Sequence, residues 1–502
     1  MGLDRILMPR VLIVGVVSAL AGCAAGPDFR APPAPAVDAY RKDPLPQTTV
    51  ATKASTGDAQ RFLVGADVPM RWWATFASEE LNRRVEQALA HSPSVASAQA
   101  ALRQARESAN AARGALFPKI DANAGALREN GNAAGLTNSE TSVPPFTVYN
   151  ASVGVSYTLD LFGGVRRGIE QQSALTDFQR FQLEGTYLSL AANIATASFR
   201  EASLRGQIRA TQEIVDVYRK ELALVEKQNQ IGAKSLADVL VIRTQVATAE
   251  ATLPALRAAL AQTQTQLAVY LGEFPSTAEL AAVDLDTLTL PHDVPVSLPS
   301  TLTRQRPDVR AAEAQLHQAT AAVGVATANL FPQITLSGNV GSEALKADNL
   351  FTSGSKAWSV GANLLQPIFH GGSLRAQKRA AEAGLDKAAA DYQSTVLTAF
   401  QNVADSLRAL ELDAENLHAQ AQAEQSAGES LNLVRIQYHD GAASYLQELD
   451  ATRQYQQARI GFIQARAARL ADTAALYTAL GGSWLESVDV IKPVAAATPT
   501  TP

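Results

Sequence analysis

The sequence predicts a mainly helical protein with a membrane β-barrel part, built from two copies of one helix-hairpin-helix unit. Three observations support this fold class. Residues 92–120 recur at 306–334, an offset of 214, with 12 of 29 positions identical. Each copy is an alanine-rich helical stretch that a proline ends, and residues of alternating polarity follow it. Long proline-free stretches then carry apolar residues in heptad steps, a pattern typical of coiled coils.

The N-terminal 22 residues have the features of a secretory signal. Arg5 and Arg10 precede an apolar run, 11–20, that is too short to span a bilayer. The run ends in Leu-Ala-Gly-Cys, which resembles the site where bacterial signal peptidase cuts before a cysteine that receives acyl chains. Cys23 is the only cysteine and is the predicted lipidation site. Ala24 follows it, as in lipoproteins sorted to the outer membrane, and several acyl chains would anchor the protein stably.

The overall composition argues against a nucleic-acid-binding protein. Hydrophobic residues make up 47% of the chain, charged residues 18%, and the net charge is −5. Such a balance provides no basic surface for a phosphate backbone.

The first helix, which leads into the copy at 92–120, begins near Ser78, a predicted N-cap followed by acidic residues. A second boundary is expected at Ser92 and Pro93, where the helix kinks or restarts. Pro118 ends this copy, and Pro332 ends its counterpart. These two prolines mark predicted helix-to-strand junctions.

Four segments alternate with a period of two residues and are the predicted strands. They cover about 119–129 and 147–159 in the first half and about 333–343 and 356–366 in the second. One face is apolar and aromatic, and the other is small and polar. A soluble hairpin with one buried face is the alternative, but this pattern favours a lipid-facing outside and a watery lumen. Four strands are too few to close a barrel, and unpaired edges are not tolerated in lipid, so membrane-spanning strands would require several copies of the chain.

The predicted strand hairpins return to helix through Gly163 and Gly371. A helix over 165–230 would be about 100 Å long. Each long helix ends at a glycine followed by a serine suited to cap the next helix: Gly232 and Ser235 in the first half, Gly441 and Ser444 in the second. The sequence thus predicts two helical hairpins with blunt tips. Pro254 is expected to break or kink the first return helix.

These boundaries divide the chain into six segments: a signal peptide (1–22), a lipidated extended N-terminal segment (23–78), repeat 1 (79–272), an equatorial linker (273–304), repeat 2 (305–482) and a partly disordered C-terminal tail (483–502).

Several motifs, in this order along a duplicated chain, resemble the TolC-type outer membrane efflux proteins of the lipidated OprM/NodT-like branch. Each motif alone is weak, but the resemblance covers about residues 20–485. Besides the lipobox and both Leu-Phe-Pro junctions, the motifs are Gly26-Pro27-Asp28-Phe29, Trp72-Trp73-Ala74-Thr75-Phe76, Leu159-Asp160-Leu161-Phe162-Gly163, Tyr445-Leu446-Gln447-Glu448-Leu449-Asp450-Ala451 and Ala479-Leu480-Gly481-Gly482-Ser483-Trp484.

The resemblance implies a homotrimer in the outer membrane of a Gram-negative bacterium. Four strands from each chain would form a twelve-stranded barrel, continued into the periplasm by a long α-helical barrel. The implied partners are a periplasmic adaptor protein and an inner membrane pump of the resistance-nodulation-division type, with outer membrane lipid around the barrel. No cofactor and no catalysis are implied.

The resemblance also assigns residues to a gate at the periplasmic tips. Asp450 would line the narrowest aperture, where three carboxylates would attract cations. Asp238 holds the related place after the first tip, and Tyr438, three residues before Gly441, matches a gate tyrosine. A basic residue often follows that glycine by two positions, but this chain has Ala443, so the tether is absent or replaced. The tip residues Gly232, Ser235, Gly441 and Ser444 would face the adaptor.

Two other functions and one cargo question remain open at this stage. An enzyme is disfavoured because the six histidines are dispersed and no metal-binding or phosphate-binding motif occurs. A periplasmic coiled-coil scaffold would require the four alternating segments to be core strands. Metal export is less favoured than export of organic solutes, because Met1, Met8 and Met70 all lie outside the expected tunnel.

Overall fold

The computed structural model describes residues 24–130 and 145–482. The predicted signal peptide, Cys23, most of the loop between the first two predicted strands and the tail from 483 lie outside these ranges. Within them the α-helices are α1 (Glu79–His91), α2 (Pro93–Arg113), α3 (Gly164–Gln230), α4 (Leu236–Leu271), α5 (Pro299–Gln305), α6 (Pro307–Ala328), α7 (Ser373–His439) and α8 (Tyr445–Ala479). The strands are β1 (Arg61–Val64), β2 (Lys119–Glu129), β3 (Phe146–Leu159), β4 (Asp293–Val296), β5 (Gln333–Ala344) and β6 (Lys356–Leu365).

The chain divides into two compact units. The strand unit takes its described residues from Met1–Pro32, Arg103–Phe178 and Ala312–Tyr392. The helical unit takes its described residues from Pro33–Leu102, Gln179–Ala311 and Gln393–Pro502.

The strand unit contains an antiparallel sheet in the order β2-β3-β5-β6. Each of its strands lies within one residue of a segment predicted from the alternation. β3 and β5 join the two halves of the chain, with Leu159 opposite Ile334 and Tyr149 opposite Ala344. Every residue of the edge strands β2 and β6 is exposed, whereas most residues of β3 are half-buried. The sheet therefore ends in two uncovered edges.

Proline and glycine act at the sheet-to-helix junctions as expected. A short 3₁₀ turn, Gly114–Leu116, ends the helical run before Pro118, and β2 begins at Lys119. On the return side, the backbone of Gly163 adopts a positive φ of 75°. The Asp160 carboxylate then accepts the backbone N–H of Val165 at 2.9 Å and so caps the first turn of α3.

The helical unit has an aromatic core near its N-terminal helices. Trp72, Trp73 and Phe76, the aromatic cluster singled out in the sequence, are buried. The ring of Trp72 lies 5.8 Å from that of Tyr477, and Phe76 lies 4.9 Å from Phe199. These contacts join residues far apart in the sequence, as expected for a duplicated chain closed around one core.

The helix ends lie where the sequence signals predict them, but Pro254 does not end a helix. The Ser78 side chain accepts the N–H of Leu81, and α1 ends before Pro93 as predicted. Pro254, however, lies inside α4, which continues without a break to Leu271. Proline removes one hydrogen bond, but the buried neighbour Leu253 belongs to an apolar cluster that holds the helix in place. No helix of the described residues is both long enough and apolar enough to span a bilayer.

Candidate functional site

The first tip is a compact turn between α3 and α4. Gly232 has a φ of 79°, and the N–H of Ala233 donates to the Gln228 carbonyl at 2.8 Å. Ser235 and Asp238 form a capping box: Ser235 Oγ accepts the Asp238 N–H at 3.2 Å, and Asp238 accepts the Ser235 N–H at 3.0 Å. The Ser235 hydroxyl also donates to the Asp238 carboxylate at 2.8 Å, and this bond, with the one from the Ser235 N–H, lowers the pKa of Asp238. Asp238, expected at the gate, is engaged in capping α4.

The second tip repeats this design between α7 and α8. Gly441 has a φ of 76°, and the N–H of Ala442 donates to the Gln437 carbonyl at 2.7 Å. Ser444 caps α8, and the side chain of Gln447 accepts its N–H at 2.6 Å. The predicted C-cap glycines and N-cap serines are therefore present at both tips.

Apolar side chains from both halves pack together just above the turns. Tyr438 of α7 packs on the edge of this cluster. Its buried members include Tyr218 and Val225 of α3, Val239 and Ile242 of α4, and Tyr445 and Leu449 of α8. The two tips of one chain are thus held together by burial of apolar surface.

A lysine of the first tip, Lys234, lies beside Tyr438, whereas the second tip has Ala443 where a basic residue was expected. Its Nζ lies 5.9 Å from the ring centre of Tyr438 and 5.8 Å from that of Tyr445, within range of cation–π attraction. The two rings contact each other at 5.6 Å. Lys234 precedes Ala443 by 209 residues, the offset between the two tips, so it occupies the equivalent position in the first half.

Two carboxyl groups, Glu221 and Glu448, bind residues of the second tip beside the tyrosine pair. The Tyr445 hydroxyl donates to Glu221 Oε2 of α3 at 3.3 Å, and Arg435 Nε of α7 lies 3.5 Å from Glu448 of α8. Burial, together with the charge of Glu448, raises the pKa of Glu221 to about 7. Burial also raises the pKa of Glu448, although Arg435 opposes that shift. We call six residues the tip latch: Glu221, Lys234, Arg435, Tyr438, Tyr445 and Glu448.

Sequence reasoning assigned Tyr438 to the gate and gave no role there to the other five latch residues, although Tyr445 and Glu448 lie in one of the family motifs. Glu221 and Glu448 lie in heptad stretches, where carboxylates are usually solvated. The one available signal was Lys234, because comparing the two tips at their offset places a lysine opposite Ala443.

Asp450 lies on α8, beyond the latch. Its carboxylate accepts hydrogen bonds from the guanidinium of Arg453 and, at 2.6 Å, from the side-chain amide of Gln454. The side chain is partly exposed. The structure brings Tyr438 into the latch but not Asp450 or Asp238.

The segment that follows Cys23 is attached to the strand unit. The Ala25 N–H donates to the Phe162 carbonyl at 2.8 Å, beside the β3–α3 junction. The buried guanidinium of Arg167 binds the Ala25 carbonyl at 3.2 Å and Asp28 at 2.5 Å. Phe29 stacks on His317 with ring centres 4.2 Å apart. The Gly-Pro-Asp-Phe motif therefore fixes the N-terminal segment to the sheet end of the chain. Cys23 itself lies outside the described residues.

The return junctions differ between the halves. At Gly163, an added Cβ would lie 2.8 Å from the Ala24 Cα, whereas Gly371, with a φ of 57°, has open space around it. Pro332 separates α6 from β5, as Pro118 separates α2 from β2. Across the described part of the chain, no group of His, Cys, Asp and Glu side chains is arranged to bind a metal ion.

The chain is similar to several known proteins. The family model for outer membrane efflux proteins matches residues 85–273 and 298–482. The chain is 32% identical over 423 residues to the pyoverdine export outer membrane protein OpmQ of Pseudomonas aeruginosa, covering 82% of this chain and 87% of that protein. It is 27% identical to the probable outer membrane lipoprotein SilC of Salmonella typhimurium, covering 95% and 99%.

Among solved structures, the outer-membrane channel OprN superposes with a TM-score of 0.81 at 30% identity, covering 92% of this chain and all of that one. The matched family consists of outer membrane channel proteins, not enzymes. The match to the family model in both halves, together with these relatives, shows that the chain belongs to the outer membrane efflux protein family and is an outer membrane protein that extends into the periplasm.

Proposed function

We propose that this chain forms the passive, trimeric outer membrane duct of a tripartite efflux pump. The observation that carries the proposal is the four-stranded sheet whose two edge strands, β2 and β6, are exposed along their whole length. Such edges must be paired inside a lipid bilayer. Three copies would supply twelve strands, an even number within the range of outer membrane barrels.

In this proposal the duct is closed at its periplasmic end by the helical tips. The tip latch ties α3, α7, α8 and the first turn together within each chain. Opening would separate these elements and expose the latch to water. Asp450, one per chain, would line the aperture and select for cations, while Asp238 and Ser235 keep the start of α4 rigid.

The partners would be a periplasmic adaptor and an inner membrane pump, most simply of the resistance-nodulation-division type. Gly232, Ser235, Gly441 and Ser444 would face the adaptor. Ile231, Leu236 and Leu446 beside them are exposed apolar side chains, which supports a protein-binding surface at the tips. The cargo would be small organic solutes, in keeping with the absence of methionine from the expected tunnel.

Acyl chains on Cys23 would anchor each chain in the outer membrane. The attachment of Ala25 and Asp28 to the strand unit supports an anchor held near the sheet.

Planar lipid bilayers provide the test of a duct. The purified full chain should give single-channel conductance and should change its electrophoretic mobility on heating in detergent. A periplasmic scaffold with the same helices would give neither signal. Crosslinking from Ser235→Cys or Ser444→Cys should then capture the adaptor.

A further inference from the structure

A cavity of about 250 Å³ lies beside the N-terminal segment, far along the chain from the helical tips. One wall is the extended stretch Asp38–Leu45. The opposite wall consists of the ends of β1 and β4, the first residue of α5 and Leu407 of α7. All of these residues belong to the helical unit of a single chain.

Most of the cavity wall away from the N-terminal segment is apolar. Val296 of β4 and Leu407 of α7 are only 3% and 2% exposed, and Pro299 of α5 is buried as well. Val64, the last residue of β1, is 65% exposed and lies at the open side of the cavity. An apolar hollow with a few polar groups is typical of sites for small organic molecules.

One of the polar groups in the wall is the hydroxyl of Ser297. This residue is 1% exposed, and its Oγ forms no hydrogen bond with any residue that the structure describes. The Ser297 carbonyl accepts the Tyr40 hydroxyl at 2.8 Å, so the backbone is held in place while the side chain is left over. Buried polar side chains almost always have a partner, and an exception of this kind indicates a water molecule or a ligand.

The second polar group is the guanidinium of Arg41. Its Nε donates to the Asp43 carbonyl at 3.0 Å, and its Nη2 donates to the Pro44 carbonyl at 2.9 Å and lies 2.7 Å from Glu411. Its Nη1 is buried too, yet within the described ranges it has no hydrogen-bond partner. Arginine nitrogens donate and never accept, so a molecule bound here must carry an acceptor.

The charges around the cavity balance one another. Arg41 is paired with Glu411, and Arg408 lies 2.9 Å from Asp43 and 3.3 Å from Glu411. Lys42 and Asp38, which also line the cavity, carry opposite charges. No excess of negative charge therefore opposes an anion. A carboxylate has two oxygens and can accept from both unused donors, whereas an ammonium group can accept from neither.

We infer that this cavity binds a small amphipathic carboxylate, whose head group accepts from Arg41 Nη1 and Ser297 Oγ while its apolar chain lies against Val296 and Leu407. The volume suits a molecule of roughly ten non-hydrogen atoms. Such a ligand joins the N-terminal segment to α7. The inference goes beyond the proposed duct and does not depend on it, because one chain supplies the whole site.

Octanoate is the probe that tests this site. The full chain in lipid nanodiscs would be titrated by isothermal calorimetry, with the signal of empty nanodiscs subtracted. We expect saturable binding at one site per chain, with a Kd on the order of 0.1–1 mM. Octan-1-ol, which has the same chain without the carboxylate, should bind at least tenfold more weakly. Octanoate should also slow hydrogen exchange of the backbone amides in 38–45.

Two variants test the lining residues. Ser297→Ala should weaken octanoate binding about tenfold, because it removes one of the two donors. The same variant should not lower the melting temperature without octanoate, because the hydroxyl has no partner to lose. Val64→Trp should block the open side and abolish binding. Val50→Trp is its matched control, since Val50 is an exposed valine of the N-terminal segment that does not line the cavity.

The possible failures are distinct. Absence of saturable binding would show that the cavity holds only water and would refute the inference. Equal binding of octan-1-ol would refute the carboxylate head group, and unchanged octanoate binding in Ser297→Ala and Val64→Trp would place the probe elsewhere and overturn the site. A lower melting temperature of Ser297→Ala would show that the hydroxyl already has a partner. Each of these results would leave single-channel conductance, the test of the duct, unaffected.

Discussion

Replacing Glu221 by glutamine should favour the closed tip and remove most of its response to pH. Among the latch carboxyl groups, Glu221 has a pKa that is raised to about 7, so it carries a proton in part at neutral pH. Glu221 faces Tyr445 and Glu448 on α8, Arg435 on α7 and Tyr218 on its own helix. Tyr438 and Lys234 lie on the far side of Tyr445 as its contacts. Glutamine has the shape and neutrality of the protonated acid, and its oxygen can still accept the Tyr445 hydroxyl.

The sign of the pH effect follows from the raised pKa. In the conformation of the structure, which we propose to be the closed tip, burial and the charge of Glu448 raise the pKa of Glu221 to about 7, against an ordinary value of 4.5. A carboxyl that is solvated in the open tip returns to its ordinary value, so the closed tip binds the proton more tightly. Glu221 therefore stabilises the closed tip fully below about pH 4.5, and this stabilisation is lost as pH rises through about 7. The raised pKa of Glu448 acts in the same direction.

The size of the effect follows from the same shift. At 1.36 kcal/mol for each pKa unit, the full difference corresponds to about 3.4 kcal/mol. Part of the Glu221 side chain contacts water, and solvent screening lowers this to about 1.5 kcal/mol. The ratio of open to closed channels should thus rise about tenfold between pH 5 and pH 8.

Single-channel recording from pH 5 to pH 8 measures this ratio. The unmodified channel should open more often as pH rises, and Glu221→Gln should lose the part of this rise that Glu221 contributes, leaving the contribution of Glu448. Glu226→Gln is the matched control, since Glu226 is on the same helix and pairs with Arg243 away from the latch. Burial beside Asp472 raises the pKa of Asp413 to about 7, but this group is present in both variants and cancels from the comparison. An unchanged pH profile in Glu221→Gln, or a lost one in Glu226→Gln, would refute the reasoning.

Three further predictions concern the latch, the aperture and the junction. Lys234→Ala should raise the open probability about two- to fivefold at pH 7, from loss of about 0.5–1 kcal/mol of cation–π attraction, and Lys234→Arg should restore closure in the same recordings. Asp450→Ala should raise conductance and weaken block by multivalent cations, and an unchanged channel would exclude Asp450 from the constriction. Gly163→Ala should destabilise the chain by about 1–2 kcal/mol through its left-handed backbone, measured by thermal unfolding. Gly168→Ala, a change within α3 with open space around it, is the control and should not destabilise.

The strands and tips could be predicted because local residues determine them. Apolar and polar residues alternate between Tyr149 and Leu159. A strand with lipid on one side and water on the other requires this alternation, so the sequence itself shows the pattern. The glycine and serine of each tip act within a few residues, through a positive φ at Gly232 and the cap at Ser235. Such signals need no knowledge of distant segments.

The latch could not be predicted because its residues are distant in sequence. Tyr445 meets Glu221 across 224 positions, and no local pattern distinguishes Glu221 from solvated heptad carboxylates. The continuity of α4 through Pro254 has the same origin, because packing of Leu253 outweighs a local helix breaker. The N-terminal segment was read as extended chain, yet β1 within it pairs in parallel with β4 more than 200 residues away.

The central claim is that one chain supplies only part of a wall that three chains complete. The mass of the purified protein in mild detergent, obtained by native mass spectrometry, tests this claim most directly. We expect a single species with three chains, each near 53.1 kDa before processing, together with a β signal beside the helical one in circular dichroism. A monomer that retains its full β signal would contradict the claim.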